Sequence, residues 1–475
     1  MTKGGKVTYH PRIPMSAPIT ATVPAGFSAE MASGVIELPP PAGIHARNWG
    51  AALHDIATGQ HHRLEANLLL FRPQNEGAWH ALICMDYCLA REPDNLEAFR
   101  EAWAGELGTS EKNVWIALSH THASVAIGPS QVNLPGGEWI PPYREQIRER
   151  VGAALRELSS RPFRGELTWE SGHCTLAKNR DYRVPGENRF ACGYNPGAPA
   201  DTTLLVGRLC DEAGSVRAVM VNYACHPTTL AWQNTLISPD YVGALRETVR
   251  ARYPELPVCF LQGASGELAP RRQYTGELAI ADANGRCVGY AALSVLEGML
   301  PPWSGLRWAG VVESGAPLGI WESVAHQPPG EIRSGRFSVT IPFKPAAPLE
   351  ELEARLARCE DRALQERLRR QIIRIRHQGE SRSVDADIWW WTLGNTLWVA
   401  QGSECYSEFQ TELRAAFPEW TVIVVTLANA ISLTYFYPEA MAEADAYEVW
   451  VSALGADCLS RLKAGTVSGL REALA

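Results

Sequence analysis

Short apolar runs that end in polar, glycine- or histidine-bearing turns recur along this chain. Between them lie stretches whose apolar residues return every three or four positions. Residues 64–71, 80–86, 113–118, 218–224, 257–261, 396–400 and 421–426 are runs of the first kind, with the length and bounding of buried strands. Ile147, Val151, Leu155 and Leu158 form one stripe along 144–158, an amphipathic helix. Helices are also predicted over 284–300, stopped by Pro301-Pro302, and over 406–415. The charged stretch 349–377 carries Leu352, Leu356, Leu364, Leu368 and Ile372, which predicts one or two exposed helices.

The densest unit runs from Val221 to Pro270. After the run at 218–224, Leu245, Val249 and Tyr253 recur at helical spacing, with Arg246, Glu247 and Arg250 assigned to the solvent face. A second apolar run follows at 257–261. Strand, helix, strand at this spacing predicts a βαβ unit in a parallel sheet. Cys225-His226-Pro227 and Gly263–Pro270 then fall beyond the carboxyl ends of neighbouring strands, the rim where open α/β sheets bind ligands. The expected fold class is therefore α/β: a mixed or parallel sheet with helices on both faces and an active site at the strand carboxyl ends.

Composition narrows the class of function. With 46% hydrophobic and 20% charged residues, the chain reads as an ordinary globular protein. A net charge of −8 without a basic run predicts no nucleic-acid partner. No run reaches the length of a membrane span, so no stable membrane association is expected, and the partner is a small-molecule substrate. Eleven scattered cysteines, with no C-x-x-C pair and no secretory signal, read as reduced thiols of a cytoplasmic protein. Residues 1–31, rich in Pro, Thr and Ala, are expected to be an N-terminal arm, and residues 32–475 one catalytic domain with a charged helical insertion near 345–380. The sequence assigns no oligomeric state.

Chemistry gathers at three strand ends. Ser119-His120-Thr121-His122 closes the run at 113–118, and two histidines at i, i+2 on an extended segment project to one side. His226 follows the run at 218–224, and Glu404 follows the run at 396–400. Histidines plus a carboxylate, each past an apolar strand, match the ligand set of a catalytic Zn2+ site that leaves a position for water. Asp86, Asn222 and Asp240 are candidates for orienting ligand histidines.

These residues carry a resemblance to the neutral/alkaline non-lysosomal ceramidase family, in its N-terminal catalytic domain. It rests on Pro-Pro-x-Gly and Trp-Gly…His-Asp near 40–55, S-H-T-H-A-S, Asn179-Arg180, N-Y-A-C-H-P-T…S-P-D-Y-V-G, F-L-Q-G-A-S-G-E-L-A-P and G-S-E-C-Y-S-E-F, spanning about residues 33 to 450. The resemblance implies a zinc amidohydrolase with His120, His226 and Glu404 on the metal and Tyr435 as candidate fourth ligand. It also implies that His122 faces the substrate and that Arg180 holds the carbonyl or developing oxyanion.

Departures from the family pattern redirect the substrate. Ala269 stands where ceramide hydrolases carry a serine held to act at the metal, and Ser265, four residues upstream, does not replace it. The tyrosine-rich segment is altered, with Asn429 followed by Ile431 and Thr434, so that Tyr435 matches after a one-residue insertion. The chain is also too short for the family's C-terminal immunoglobulin-like domain, so none is expected. The reading is a zinc-dependent hydrolase that cleaves a C–N amide bond of a soluble, non-ceramide substrate with metal-activated water. His122 or Glu267 would move the proton. Alternatives are an ester or lactone hydrolase on the same metal, or a ceramidase-like binding protein without chemistry.

Overall fold

In the computed structural model, which describes residues 21–74, 77–90, 96–345, 347–430 and 432–475, two sheets stack face to face between layers of helix. The first sheet is built from β1 (Ala25–Glu37), β2 (Glu65–Arg72), β3 (His80–Met85), β4 (Val114–Leu118), β5 (Phe163–His173), β6 (Thr203–Asp211), β7 (Val216–Tyr223) and β8 (Val258–Gln262). Its spatial order is β8-β7-β6-β5-β1-β2-β3-β4. The outer pairs β7/β8 and β3/β4 are parallel and the inner pairs antiparallel. The second sheet holds β9 (Ile332–Pro342), β10 (Ser383–Leu393), β11 (Thr396–Gln401) and β12 (Thr421–Thr426) in that order, with β11/β12 parallel.

Strands buried on both faces read as unbroken apolar runs. In β4, Trp115 and Ala117 face the second sheet while Val114, Ile116 and Leu118 face helices. Trp115 stacks on Trp391 of β10 at 3.9 Å between ring centroids, and Phe27, Leu69, Leu261, Trp398 and Val425 share the same interlayer core. On the outer face of the first sheet, α1 (Glu97–Leu107) and α2 (Ile140–Ser159) cover β2 to β4. There too α3 (Tyr241–Arg252) and α4 (Leu278–Gly298) cover β6 to β8. The charged stretch folds as α5 (Leu349–Arg358) and α6 (Arg362–Gln378), packed on each other through Leu352, Leu368 and Ile372. The second sheet is covered by α7 (Glu408–Ala416) and α9 (Cys458–Leu474), with the short α8 (Tyr447–Val451) between them. The mixed α/β class and the flanking helices agree with expectation, with two stacked sheets rather than one between the helical layers.

Two expectations need correction. Residues 1–20 of the expected arm lie outside the described residues, but Ala25–Met31 is no arm. It opens β1 in the middle of the first sheet, with Phe27, Ala29 and Met31 fully buried against the second sheet. The intervening Gly26, Ser28 and Glu30 have low strand propensity and mask the alternation. Nor is Arg246 on the solvent face of α3. Its guanidinium makes a bidentate pair with Asp86, at 2.5 and 2.9 Å, and both side chains are buried. Asp86 also accepts from the Glu65 amide, so it fixes α3 to the ends of β2 and β3 rather than orienting a histidine.

Candidate metal centre

His120, His226 and Glu404 each lie two or three residues past the carboxyl end of a strand that has a parallel neighbour. His120 lies two residues past β4, and its amide donates to the Tyr87 carbonyl at 2.9 Å. The segment is not extended: His120 has φ 68°, a left-handed conformation that costs a non-glycine residue about 1–3 kcal/mol. That turn, rather than strand alternation, sets the rings of His120 and His122 at 4.8 Å and 69°. His226 lies three residues past β7, and its amide donates to the Leu268 carbonyl at 2.9 Å.

Glu404 and Tyr435 are direct register partners in a parallel ladder of two short strands, Glu404–Cys405 and Tyr435–Phe436. Asn429 anchors the approach to Tyr435. It stands at φ 61°, its side-chain oxygen accepts from the Ile116 amide at 2.7 Å, and its carbonyl accepts from Arg100 at 2.7 Å. The altered tyrosine segment is therefore fastened to β4, the strand that delivers His120.

The four groups converge. Glu404 Oε2 lies 3.0 Å from His226 Nε2 and 3.3 Å from His120 Nε2, and the Tyr435 hydroxyl lies 3.4 Å from His226 Nε2. Tetrahedral Zn2+ with bonds of ~2.0–2.1 Å requires ligand atoms ~3.3 Å apart, so the donor set fits such an ion. Both imidazoles are oriented from behind. His120 Nδ1 lies 2.7 Å from the Cys88 carbonyl, and His226 Nδ1 lies 2.6 Å from the Ser265 carbonyl. Donation of Nδ1–H to a carbonyl fixes the tautomer whose Nε2 lone pair points at the centre. Among the described residues His120 Nε2 is buried without a well-formed hydrogen bond, facing Glu404 Oε2 across the centre.

Electrostatics favour a cation there. Burial pushes the Glu404 carboxyl up, but His120 and His226 outweigh it and hold Glu404 well below the usual carboxylate range. Burial likewise pulls His120 down, yet Glu404 and Cys88 raise it to about 10, whereas burial and Arg180 press His226 well below its ordinary value. Without an ion, the buried carboxylate thus keeps one proton in the cluster.

Arg180 is buried beside this group. Its NH2 donates to the Tyr435 hydroxyl and to Glu448 Oε1, both at 3.0 Å, while its Nε is buried without a partner. Burial pushes the Tyr435 phenol well up, opposed by Arg180. The sequence did not reveal Glu448, a buried acid on the single-turn α8. His122 Nε2 is also buried and unpartnered. The His122 ring lies 5.2 Å from Trp49, which contacts Trp232 and Tyr274 at 6.3 and 5.8 Å. Trp49 and His122 both line a small cavity with Ala46, Asn48 and Ala231.

Other candidates are placed elsewhere. Both oxygens of Glu267 accept from Ser407, at the head of α7, so its carboxylate is engaged in capping a helix. Asp240 caps α3 and accepts from the Leu230 and Tyr241 amides, and Asn222 donates to the Leu261 and Val424 carbonyls, so neither touches a ligand histidine. Ser265 Oγ lies 3.2 Å from His226 Nδ1, on the edge of the ring away from the centre. Ala269 is buried in a ladder with Lys178.

Two stacked mixed sheets between helical layers form a ceramidase-like α/β fold. The particular likeness is to neutral ceramidase from Pseudomonas aeruginosa, with a TM-score of 0.65 and 16% identity over 93% of this chain and 74% of that one. A ceramidase complexed with C2 is similar at a TM-score of 0.65 and 15% identity, over 94% of this chain and 76% of the other. No protein-family model and no curated relative matches this sequence.

Proposed function

We propose that this chain is a zinc-dependent hydrolase of a C–N amide bond in a small, non-ceramide substrate. The observation that carries the reading is the convergence of His120 Nε2, His226 Nε2, Glu404 Oε2 and the Tyr435 hydroxyl, with both imidazoles held from behind by main-chain carbonyls. Zn2+ held by these residues would supply Lewis acidity toward the scissile carbonyl and acidify water near neutral pH. Arg180 retains a buried, unpartnered Nε–H for an oxygen gaining negative charge, an effect worth about 3 kcal/mol for a well-placed donor. Among the described residues His122 Nε2 is buried without a hydrogen-bond partner beside His120, which suits it to take and return the proton. Glu267 is the weaker candidate for that task because Ser407 occupies its oxygens.

Trp49, Trp232 and Tyr274 give the site an aromatic wall for a compact substrate. Ala269 has no hydroxyl, which removes the family's serine from the reaction. Cytoplasmic residence is part of the proposal. Its support is that all eleven cysteines are free thiols, as a reducing compartment keeps them.

A panel of N-acyl amides, the matching esters and lactones, and long-chain ceramide, each assayed with and without chelator, tests the reading. Chelator-sensitive turnover of short N-acyl amides with poor turnover of ceramide is expected. Preference for esters or lactones would reassign the bond cleaved, and no turnover of any class by zinc-loaded protein would favour a binding role.

A further inference from the structure

A second group of metal-ligating side chains stands apart from this centre. The short strand Gly59–Gln60 pairs in parallel with Leu236–Ile237, and the chain then turns through His61 and His62, with the His61 amide donating to the Ile237 carbonyl at 2.8 Å. The two rings lie 3.9 Å apart, and both Nε2 atoms approach one oxygen, Asp282 Oδ1 on α4, at 3.2 Å from His61 and 2.9 Å from His62. One ligand atom from each of the three residues lies within 4.8 Å of the others.

The construction repeats that of the buried centre. His61 Nδ1 faces Ser238 Oγ at 3.1 Å, and His62 Nδ1 faces Glu247 Oε1 on α3 at 3.0 Å. An acceptor on each Nδ1 holds the tautomer whose Nε2 lone pair is free for an ion. The seat of His62 is shaped for its ring, because a Cβ at Gly243 would fall 2.7 Å from His62 Cδ2. Unlike the buried centre, this group is open to ions from solvent, with side-chain exposures of 9%, 14% and 28% for His61, His62 and Asp282.

We propose that His61, His62 and Asp282 form a second site for a borderline divalent transition ion, Zn2+ foremost. Two imidazoles and one carboxylate suit such an ion and leave a position for water. Bound there, the ion clamps the turn after Gly59–Gln60 to α4. The clamp reaches toward the catalytic segment, because the Ser238 carbonyl accepts from Thr121 Oγ1 at 2.7 Å and the Ser238 amide donates to the Ala123 carbonyl at 2.9 Å. The rival state is an ion-free cluster in which the His62 ring bridges Asp282 and Glu247.

Metal content of the full chain, stripped with chelator and dialysed against Zn2+ at pH 7.5, separates the two. Wild type is expected to hold about two Zn2+, and His62→Ala, Asp282→Asn and His226→Ala about one each. The isosteric Asp282→Asn guards against a folding defect in His62→Ala. Adding Zn2+ to His226→Ala should still raise its melting temperature, and adding it to the His62→Ala/His226→Ala double variant should not. Unchanged zinc in both His62→Ala and Asp282→Asn, or no zinc in His226→Ala, overturns the second site. Loss of zinc in His62→Ala beside no loss in His226→Ala supports the second site and removes the catalytic one, so the two readings fail separately.

Discussion

Glu448 is the only carboxylate within salt-bridge distance of Arg180 among the described residues, and the pair has side-chain exposures of 4% and 2%. Glu448→Gln keeps the shape and one acceptor oxygen but leaves the guanidinium without a counter-charge. Breaking a buried pair on one side costs about 3–5 kcal/mol, and the remaining Tyr435 hydroxyl and amide oxygen bring the expectation to about 2–4 kcal/mol. The double variant Arg180→Met/Glu448→Leu removes both charges and should return stability to within about 1–2 kcal/mol of wild type, because an apolar pair of similar volume carries no desolvation penalty. Urea denaturation at pH 7.5 reads both numbers, with zinc content measured in parallel. Activity should behave differently and fall by about 100-fold or more in the double variant, since the donor to the oxyanion is gone. A Glu448→Gln protein as stable as wild type refutes the coupling. A double variant that recovers stability and activity together shows that Arg180 serves packing alone.

Other outcomes follow from the same geometry. Arg180→Lys should retain zinc but lose most activity, because an ammonium cannot serve Tyr435, Glu448 and a substrate oxygen from one planar fork; normal turnover would return Arg180 to a structural role. Ser265→Ala should keep its activity and zinc and lose about 1 kcal/mol of stability, since the main-chain carbonyl at 2.6 Å orients His226 while the hydroxyl accepts from Gln262 and stands farther, at 3.2 Å, from the same His226 Nδ1; inactive, zinc-loaded Ala protein would contradict this. His122→Ala should keep its zinc and lose most kcat, and an unchanged kcat would exclude it as the proton carrier. Burial pushes Glu267 up to about 7, against the donors of Ser407, so the folded state binds a proton that the unfolded chain has released. Its contribution is full below the ordinary carboxylate range and is lost as pH rises through about 7, up to about 3 kcal/mol at ~1.4 kcal/mol per pH unit. Glu267→Gln should therefore gain on wild type between pH 5 and pH 8 in denaturation experiments, and a constant difference would show an ionised Glu267 throughout.

The strands of the outer parallel pairs were legible, and the β7/β8 pairing with them, because both faces of β3, β4, β7 and β8 are buried and their sequences are almost purely apolar. Its centre was not. In β1 and β5, buried Ser28, Glu166 and Thr168 break the apolar pattern; Glu166 is held by the Trp303 amide, a contact that no local pattern announces. The candidate ligands were legible because His120, His226 and Glu404 each follow such a run, and Tyr435 because of its likeness to the ceramidase tyrosine segment. The residues that orient them could not. Cys88 and Ser265 act through their main-chain carbonyls, which no side-chain motif reports. Asp86 looked like a helper at a strand end, yet its partner is an arginine 160 positions later. Glu448 carried no signal, because a lone acid on a five-residue helix looks solvated until the fold brings Arg180 against it.

Metal content and amide turnover measured on the same preparations of wild type, His120→Ala, His226→Ala and Glu404→Gln test the catalytic centre most directly. The two-histidine, one-carboxylate centre predicts loss of about one Zn2+ per chain in each variant, with turnover abolished and the zinc remaining in the half-buried second cluster unable to restore it. Full zinc content in His226→Ala, or undiminished turnover after the buried ion is lost, would contradict it.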